Sequence, residues 1–147
     1  MRKKVLFVCT GNTCRSPMAQ GIYNSISDGA FSRGLMVWGA APASDNAVIA
    51  MEKMGIDISD HISRGLSVSD LKECDLCLTM TQGHKNIILS HFPEYEDKVF
   101  TLGEYAGGAD VPDPYGMGVE EYVLCAEKIR EYINKVLEKD NGNDNLQ

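Results

Sequence analysis

Apolar positions fall into two kinds of run along the chain. Compact runs bounded by polar or turn residues cover residues 4–8, 35–38, 74–80 and 98–102, and they read as buried strands. Between them the spacing turns helical. The predicted helices cover residues 17–27, ending near Asp28-Gly29, and 44–54, with Ser44 as cap, Ala47, Met51 and Met54 on one face, and Gly55 as stop. A short helix over 84–92 stops before Pro93, and Tyr122, Ala126, Ile129, Ile133 and Val136 mark a last helix to about residue 139. Residues 56–73 read as polar and irregular, and 140–147 as a frayed tail without an apolar stripe. With no internal repeat or linker, this gives one domain over residues 1–139. Alternating strands and helices imply an α/β fold, a parallel sheet with helices on both faces.

Composition narrows the function more than the fold. A chain of 147 residues buries enough surface to need no disulfide staples. A net charge of −7 argues against a nucleic-acid surface or an anionic membrane as partner, and makes any local positive potential matter more. Met1-Arg2-Lys3-Lys4 mimics the start of a signal peptide, but the apolar run after it is too short. Five cysteines without a framework pattern suit a reducing cytoplasm. A monomer is expected.

The chemistry concentrates in Cys9-Thr10-Gly11-Asn12-Thr13-Cys14-Arg15-Ser16-Pro17, between the first strand and the first helix. Ser16 suits an N-cap and Pro17 a first helical position. Gly11 and Asn12 permit tight or left-handed backbone. Such a loop turns successive N–H groups toward one point before a helix N-terminus, which makes a nest for a tetrahedral anion. Cys9, beneath it, is placed to act as a thiolate nucleophile toward phosphorus. Arg15 can hold two phosphate oxygens with its planar fork, and the Ser16 hydroxyl can donate to the departing thiolate. Asp113, held extended between Pro112 and Pro114, is the candidate to protonate the leaving group, although an isolated Asp-Pro more often marks a polar turn. No metal or other cofactor is required. Cys74 and Cys77 have a metal-like spacing but no second ligand pair, so they read as core. His84 and His91 read as ordinary helix residues. Cys14 lies close enough to Cys9 in the loop for a reversible disulfide under peroxide.

On the nest motif, Met80-Thr81 with His84-Lys85, Lys98 to Leu102 and Asp113-Pro114-Tyr115-Gly116, the chain resembles the low-molecular-weight protein tyrosine phosphatases, most closely their bacterial protein arginine phosphatase branch. The resemblance implies a phosphatase I-like sheet of four strands in order 2-1-3-4, and phosphorylated proteins as substrates. It makes Asp113 the general acid, which then activates water against phospho-Cys9, and Tyr115 a pocket wall. It also implies that His61 hydrogen-bonds the nest from behind through Asn12. Family tyrosine phosphatases usually carry an aliphatic residue where this chain has Thr13, and the arginine phosphatases carry Thr. Phosphoarginine is therefore favoured, with phosphotyrosine the alternative.

Two departures stand out. The family's Ser after the second strand, which supports the nest Asn, has Gly39 as its expected counterpart here. The loop after it, 39–44, is short and lacks a second aromatic wall. An arsenate reductase would need two further cysteines after the third strand, and residues 81–97 contain none. A phosphocysteine carrier domain would lack Arg15 and Asp113.

Overall fold

The computed structural model describes residues 3–145, with side chains through Asp140. Four parallel strands run β1 (Val5–Cys9), β2 (Ala30–Gly34), β3 (Leu76–Thr79) and β4 (Val99–Thr101), in sheet order β2-β1-β3-β4. The helices are α1 (Arg15–Ile26), α2 (Asp45–Glu52), α3 (Val68–Glu73), α4 (Gln82–His91), α5 (Leu102–Ala106) and α6 (Val119–Asn145), with a 3-10 turn at Pro93–Lys98.

Strand alternation sorts the core into two layers. Val5, Phe7, Leu76 and Leu78 face α1 and α6, packing on Met18, Ile22, Ile129 and Ile133. Leu6, Val8, Cys77 and Val99 face the opposite way, onto Leu71 and Ile88 of α3 and α4. Strands buried on both faces explain why β1 and β3 read as continuous apolar runs.

The second strand is the main correction. It is Ala30–Gly34 and not 35–38, and it pairs with β1 from Val5↔Ala30 to Cys9↔Gly34. This edge strand hides its signal, because it alternates Ala30, Ser32 and Gly34 inward with half-buried Phe31 and Arg33. The apolar run 35–38 instead follows the curl of the nest: Leu35 N donates to Cys9 O and Met36 N to Thr10 O, and Trp38 is 93% exposed. Gly34 must be glycine at this crossing, since a Cβ would lie 2.8 Å from Thr10 O and 3.0 Å from Asn12 Cβ.

Residues 56–73 are not wholly irregular. Ser67 accepts from Asp70 N while the Asp70 carboxylate accepts from Ser67 N, a capping box that starts α3. Thr101 likewise starts α5 by accepting from Glu104 N. Cys74 caps α3 rather than opening β3, so Cys74 and Cys77 are core within one cluster. The last helix continues past residue 139. Asp140 accepts from Lys3 Nζ at 3.0 Å and from Tyr105 Oη at 3.2 Å. Of the expected tail, residues 146 and 147 lie outside the described residues, as do Met1 and Arg2.

Candidate active site

Residues 10–14 leave the carboxyl end of β1 and curl into the start of α1, the edge where such sheets place ligands. Most of the loop's carbonyls are bonded away from its centre. Cys9 O and Thr10 O accept from residues 35 and 36, Thr13 O from Ser44 N, and Cys14 O from Met18 N. His61 Nε2 lies 2.8 Å from Asn12 O. Among the described residues, no backbone N–H of residues 10–15 has a protein acceptor. Polarity is thereby sorted: acceptors face the fold, and donors remain for an anion.

Asn12 fixes this geometry. It is the non-glycine residue with positive φ (57°) among those described, a conformation Asn tolerates. Its amide is fully buried and fully used. Nδ2 donates to Ser16 Oγ at 2.9 Å and Ser32 Oγ at 3.0 Å, and Oδ1 accepts from Arg64 N at 2.9 Å. The Ser32 hydroxyl in turn donates to Gln20 Oε1 at 2.6 Å. The missing serine is thus present, at Ser32 rather than Gly39, and was hidden by the misplaced strand. The following loop is accordingly longer than expected: it spans residues 35–44 and contains an aromatic, Trp38, which does not line the catalytic cavity.

Ser16 is not the N-cap. Cys14 holds that position without a side-chain cap, and Ser16 lies inside the first turn. There its Oγ sits 2.9 Å from Cys9 Sγ. Because the hydroxyl accepts from Asn12 Nδ2, its proton is free to point at the sulfur. Gly11 has no positive φ, and a Cβ there would meet only Thr13 Oγ1 at 3.8 Å, so neither backbone strain nor packing demands glycine.

Arg15 is 4% exposed and spans from nest to acid loop, donating from Nη1 to Val111 O at 3.0 Å, with Nη2 3.5 Å from Asp113 Oδ2. Asp113 Oδ1 accepts from Tyr115 N at 3.1 Å, a local turn that sets the carboxyl's direction. Tyr115 is 78% exposed, at the position before Gly116 in a turn closed by Met117 N to Pro114 O. Gly116, at φ 81°, fits the third position of a type II turn.

These residues converge. Cys9, Thr10, Gly11, Thr13, Cys14, Arg15, Asp113 and Tyr115 line one cavity of about 270 Å3. Larger clefts of about 610 and 460 Å3 exist, but size does not locate the chemistry. The first contains no cysteine, and in the second burial pushes the Cys125 thiol up to about 12. Asn12, Ser16 and His61 support the cavity without lining it. Burial holds His61 below its usual value, so a neutral ring donating from Nε2 to Asn12 O fits.

One neighbour escaped the sequence reading. His84 is not an ordinary helix residue: it is buried, with Nε2 2.9 Å from Thr10 Oγ1 and Nδ1 3.0 Å from Thr81 Oγ1. Burial, then the nearby Arg15 charge, lowers it to about 4. A neutral ring satisfies both contacts if Thr81 donates to Nδ1 and Nε2 donates to Thr10. The available signal was Thr81 three residues earlier, the cap that fixes where α4 starts. Cys14 Sγ lies 3.3 Å from Ser44 Oγ and 3.5 Å from Tyr122 Oη.

Residues 4–144 match the model of the low molecular weight phosphotyrosine protein phosphatase family. A protein-arginine-phosphatase of Bacillus subtilis (strain 168) is 39% identical over 147 residues, covering 92% of this chain and 97% of the relative. The solved low molecular weight protein tyrosine phosphatase from T. tengcongensis is 47% identical, with a TM-score of 0.89, covering 94% of this chain and 99% of that one. An arginine phosphatase structure from Geobacillus stearothermophilus reaches a TM-score of 0.92 at 33% identity, covering 97% and 95%.

Proposed function

The chain belongs to the low molecular weight phosphotyrosine protein phosphatase family, and from that premise we propose that it hydrolyses phosphorylated protein side chains through a phosphocysteine intermediate, phosphoarginine being preferred. The observation carrying the reaction is that Cys9, Arg15 and Asp113 line one cavity while Ser16 Oγ reaches Cys9 Sγ.

Cys9 attacks phosphorus as a thiolate. The S–P bond forms as the bridging P–N or P–O bond breaks, and the Asp113 carboxyl gives its proton to the leaving atom. Arg15 and the loop N–H groups hold the phosphoryl oxygens, where charge spreads in the transition state. Asp113, now a carboxylate, takes a proton from water as that water attacks phosphorus. The S–P bond breaks, inorganic phosphate leaves, and Ser16 donates to the released thiolate. Turnover distinguishes this from a phosphocysteine carrier, which would keep its phosphate.

For the substrate, the relatives point both ways: the 47% identical structure is a tyrosine phosphatase and the 39% identical relative an arginine phosphatase. The preference therefore rests on Thr13 in the cavity wall beside Asp113 and Tyr115. An Ile there would present branched apolar surface to a phenol ring and crowd a planar, polar guanidinium. Thr is smaller and can hydrogen-bond near a P–N bridge. Once Asp113 has given up its proton, its carboxylate can pair with the departing guanidinium. The expected short loop no longer contributes, since the loop is long. Tyr115 can stack on either substrate. Five free cysteines among the described residues suit a cytoplasmic enzyme.

Cys9→Ser tests the chemistry. It should abolish turnover of para-nitrophenyl phosphate while still binding phosphate, because the nest is backbone. A mutant keeping a tenth of wild-type turnover, or a wild type that stops after one equivalent, contradicts the proposal.

A further inference from the structure

The cleft of about 460 Å3 shares Asp113 with the catalytic cavity, so the acid loop is a wall of both. Pro112, Pro114 and Cys125 are part of its lining, with Pro114 and Cys125 buried. Met117 and Leu124 also line it, yet they are 54% and 65% exposed. Large apolar side chains left exposed around a concave apolar surface mark an interaction site rather than a core. The volume falls within the range of about 300–1,000 Å3 that pockets for bound groups occupy.

The wall is fixed before anything binds. Met117 N donates to Pro114 O at 2.9 Å, and Asn46 Nδ2 at the start of α2 donates to Met117 O at 3.1 Å. Cys125 Sγ rests 3.8 Å from Pro112 O. A preformed groove costs little ordering on binding. Its charge is lopsided: Asp110, Asp113 and Glu121 line it against Lys128. An acidic segment would be repelled there.

We propose that this cleft receives an apolar side chain of the substrate protein, a few residues from the phosphorylated one, in a segment that is not acidic. The proposal rests on the protein phosphatase reading above. Continuity through Asp113 supports it. An extended substrate advances about 3.3 Å per residue, so a residue two to four positions away reaches roughly 7–13 Å, enough to pass over a single loop.

The test compares two phosphopeptides that share the phosphorylated residue and differ two to four positions away, leucine in one and aspartate in the other. Wild type should favour the leucine peptide by about tenfold in kcat/KM, mostly through KM. Leu124→Gln and Met117→Gln should each erase most of that preference and leave para-nitrophenyl phosphate turnover within about twofold. Unchanged preference in both variants, or none in wild type, overturns the docking site. So does a wild-type dimer in sedimentation that Leu124→Gln dissolves, since the cleft would then hold a second copy. Loss of para-nitrophenyl phosphate turnover in wild type would instead strike the phosphatase reading itself.

Discussion

Asn12 Nδ2 donates to Ser32 Oγ across 3.0 Å, and this bond ties the base of the nest to the edge strand. Both residues are buried, and each is otherwise fully bonded, Asn12 to Ser16 and Arg64, Ser32 to Gln20. A serine in a strand interior is a poor packing choice. Its place here is explained by the left-handed residue that it holds.

Ser32→Ala should therefore leave one buried Asn12 hydrogen without a partner and remove the bond to Gln20 Oε1. The expected cost is about 1–3 kcal/mol of stability, from desolvated groups left unmade. Turnover should fall several-fold as Asn12 and, through it, Ser16 lose their fixed positions. Chemical denaturation with steady-state assays measures both. A variant of wild-type stability and rate would show that the bond does not set the nest.

His84 predicts a pH dependence of stability. Its folded value is about 4 against 6.5 in the unfolded chain, lowered mainly by burial. Between those values the unfolded chain binds a proton that the folded chain does not. The stabilising contribution is thus complete above pH 6.5 and is lost as pH falls toward 4, on the order of 3 kcal/mol in all. His84→Gln can keep a hydrogen bond to Thr10 without titrating. Melting between pH 4 and 7 should give a shallower slope for the variant, and parallel slopes would remove His84 from the account.

Asp113→Asn should slow poor leaving groups by about a hundredfold or more and good ones far less, because a good leaving group needs little protonation. A series of substituted phenyl phosphates reads this directly. Equal loss across the series would mean that Asp113 serves only to hold Arg15, with which it pairs at 3.5 Å.

The nest was legible in the sequence because its residues are local, a cysteine, an arginine six residues on and a helix start after them. Asp113, whose Asp-Pro alone reads as a polar turn, became the candidate acid through the resemblance. The sheet order came through resemblance, and β1 and β3 through apolar runs. What stayed hidden depends on partners distant in sequence. Ser32 looks like a polar break until Asn12 and Gln20 are beside it, and His84 looks like a helix surface residue until Thr10 meets it. The α3 capping box of Ser67 and Asp70 was readable, but a six-residue helix carries too little periodicity to stand out.

Peroxide should inactivate the enzyme reversibly through Cys14. Peroxide oxidises the Cys9 thiolate to sulfenic acid, the Cys14 thiol then forms the disulfide with loss of water, and added thiol reduces it. Cys14 lines the same cavity as Cys9, and its sulfur sits beside the hydroxyls of Ser44 and Tyr122. Cys14→Ser should be inactivated as readily but recover poorly with thiol. Recovery equal to wild type contradicts the protective role.

The phosphocysteine phosphatase proposed above should favour phosphoarginine because Thr13 lines its cavity. The most direct measurement is kcat/KM on matched phosphoarginine and phosphotyrosine peptides, for wild type and Thr13→Ile. Wild type should prefer phosphoarginine, and the variant should lose about tenfold or more on it while holding or gaining on phosphotyrosine. A wild-type preference for phosphotyrosine, or a mutation that moves both rates alike, would contradict the account.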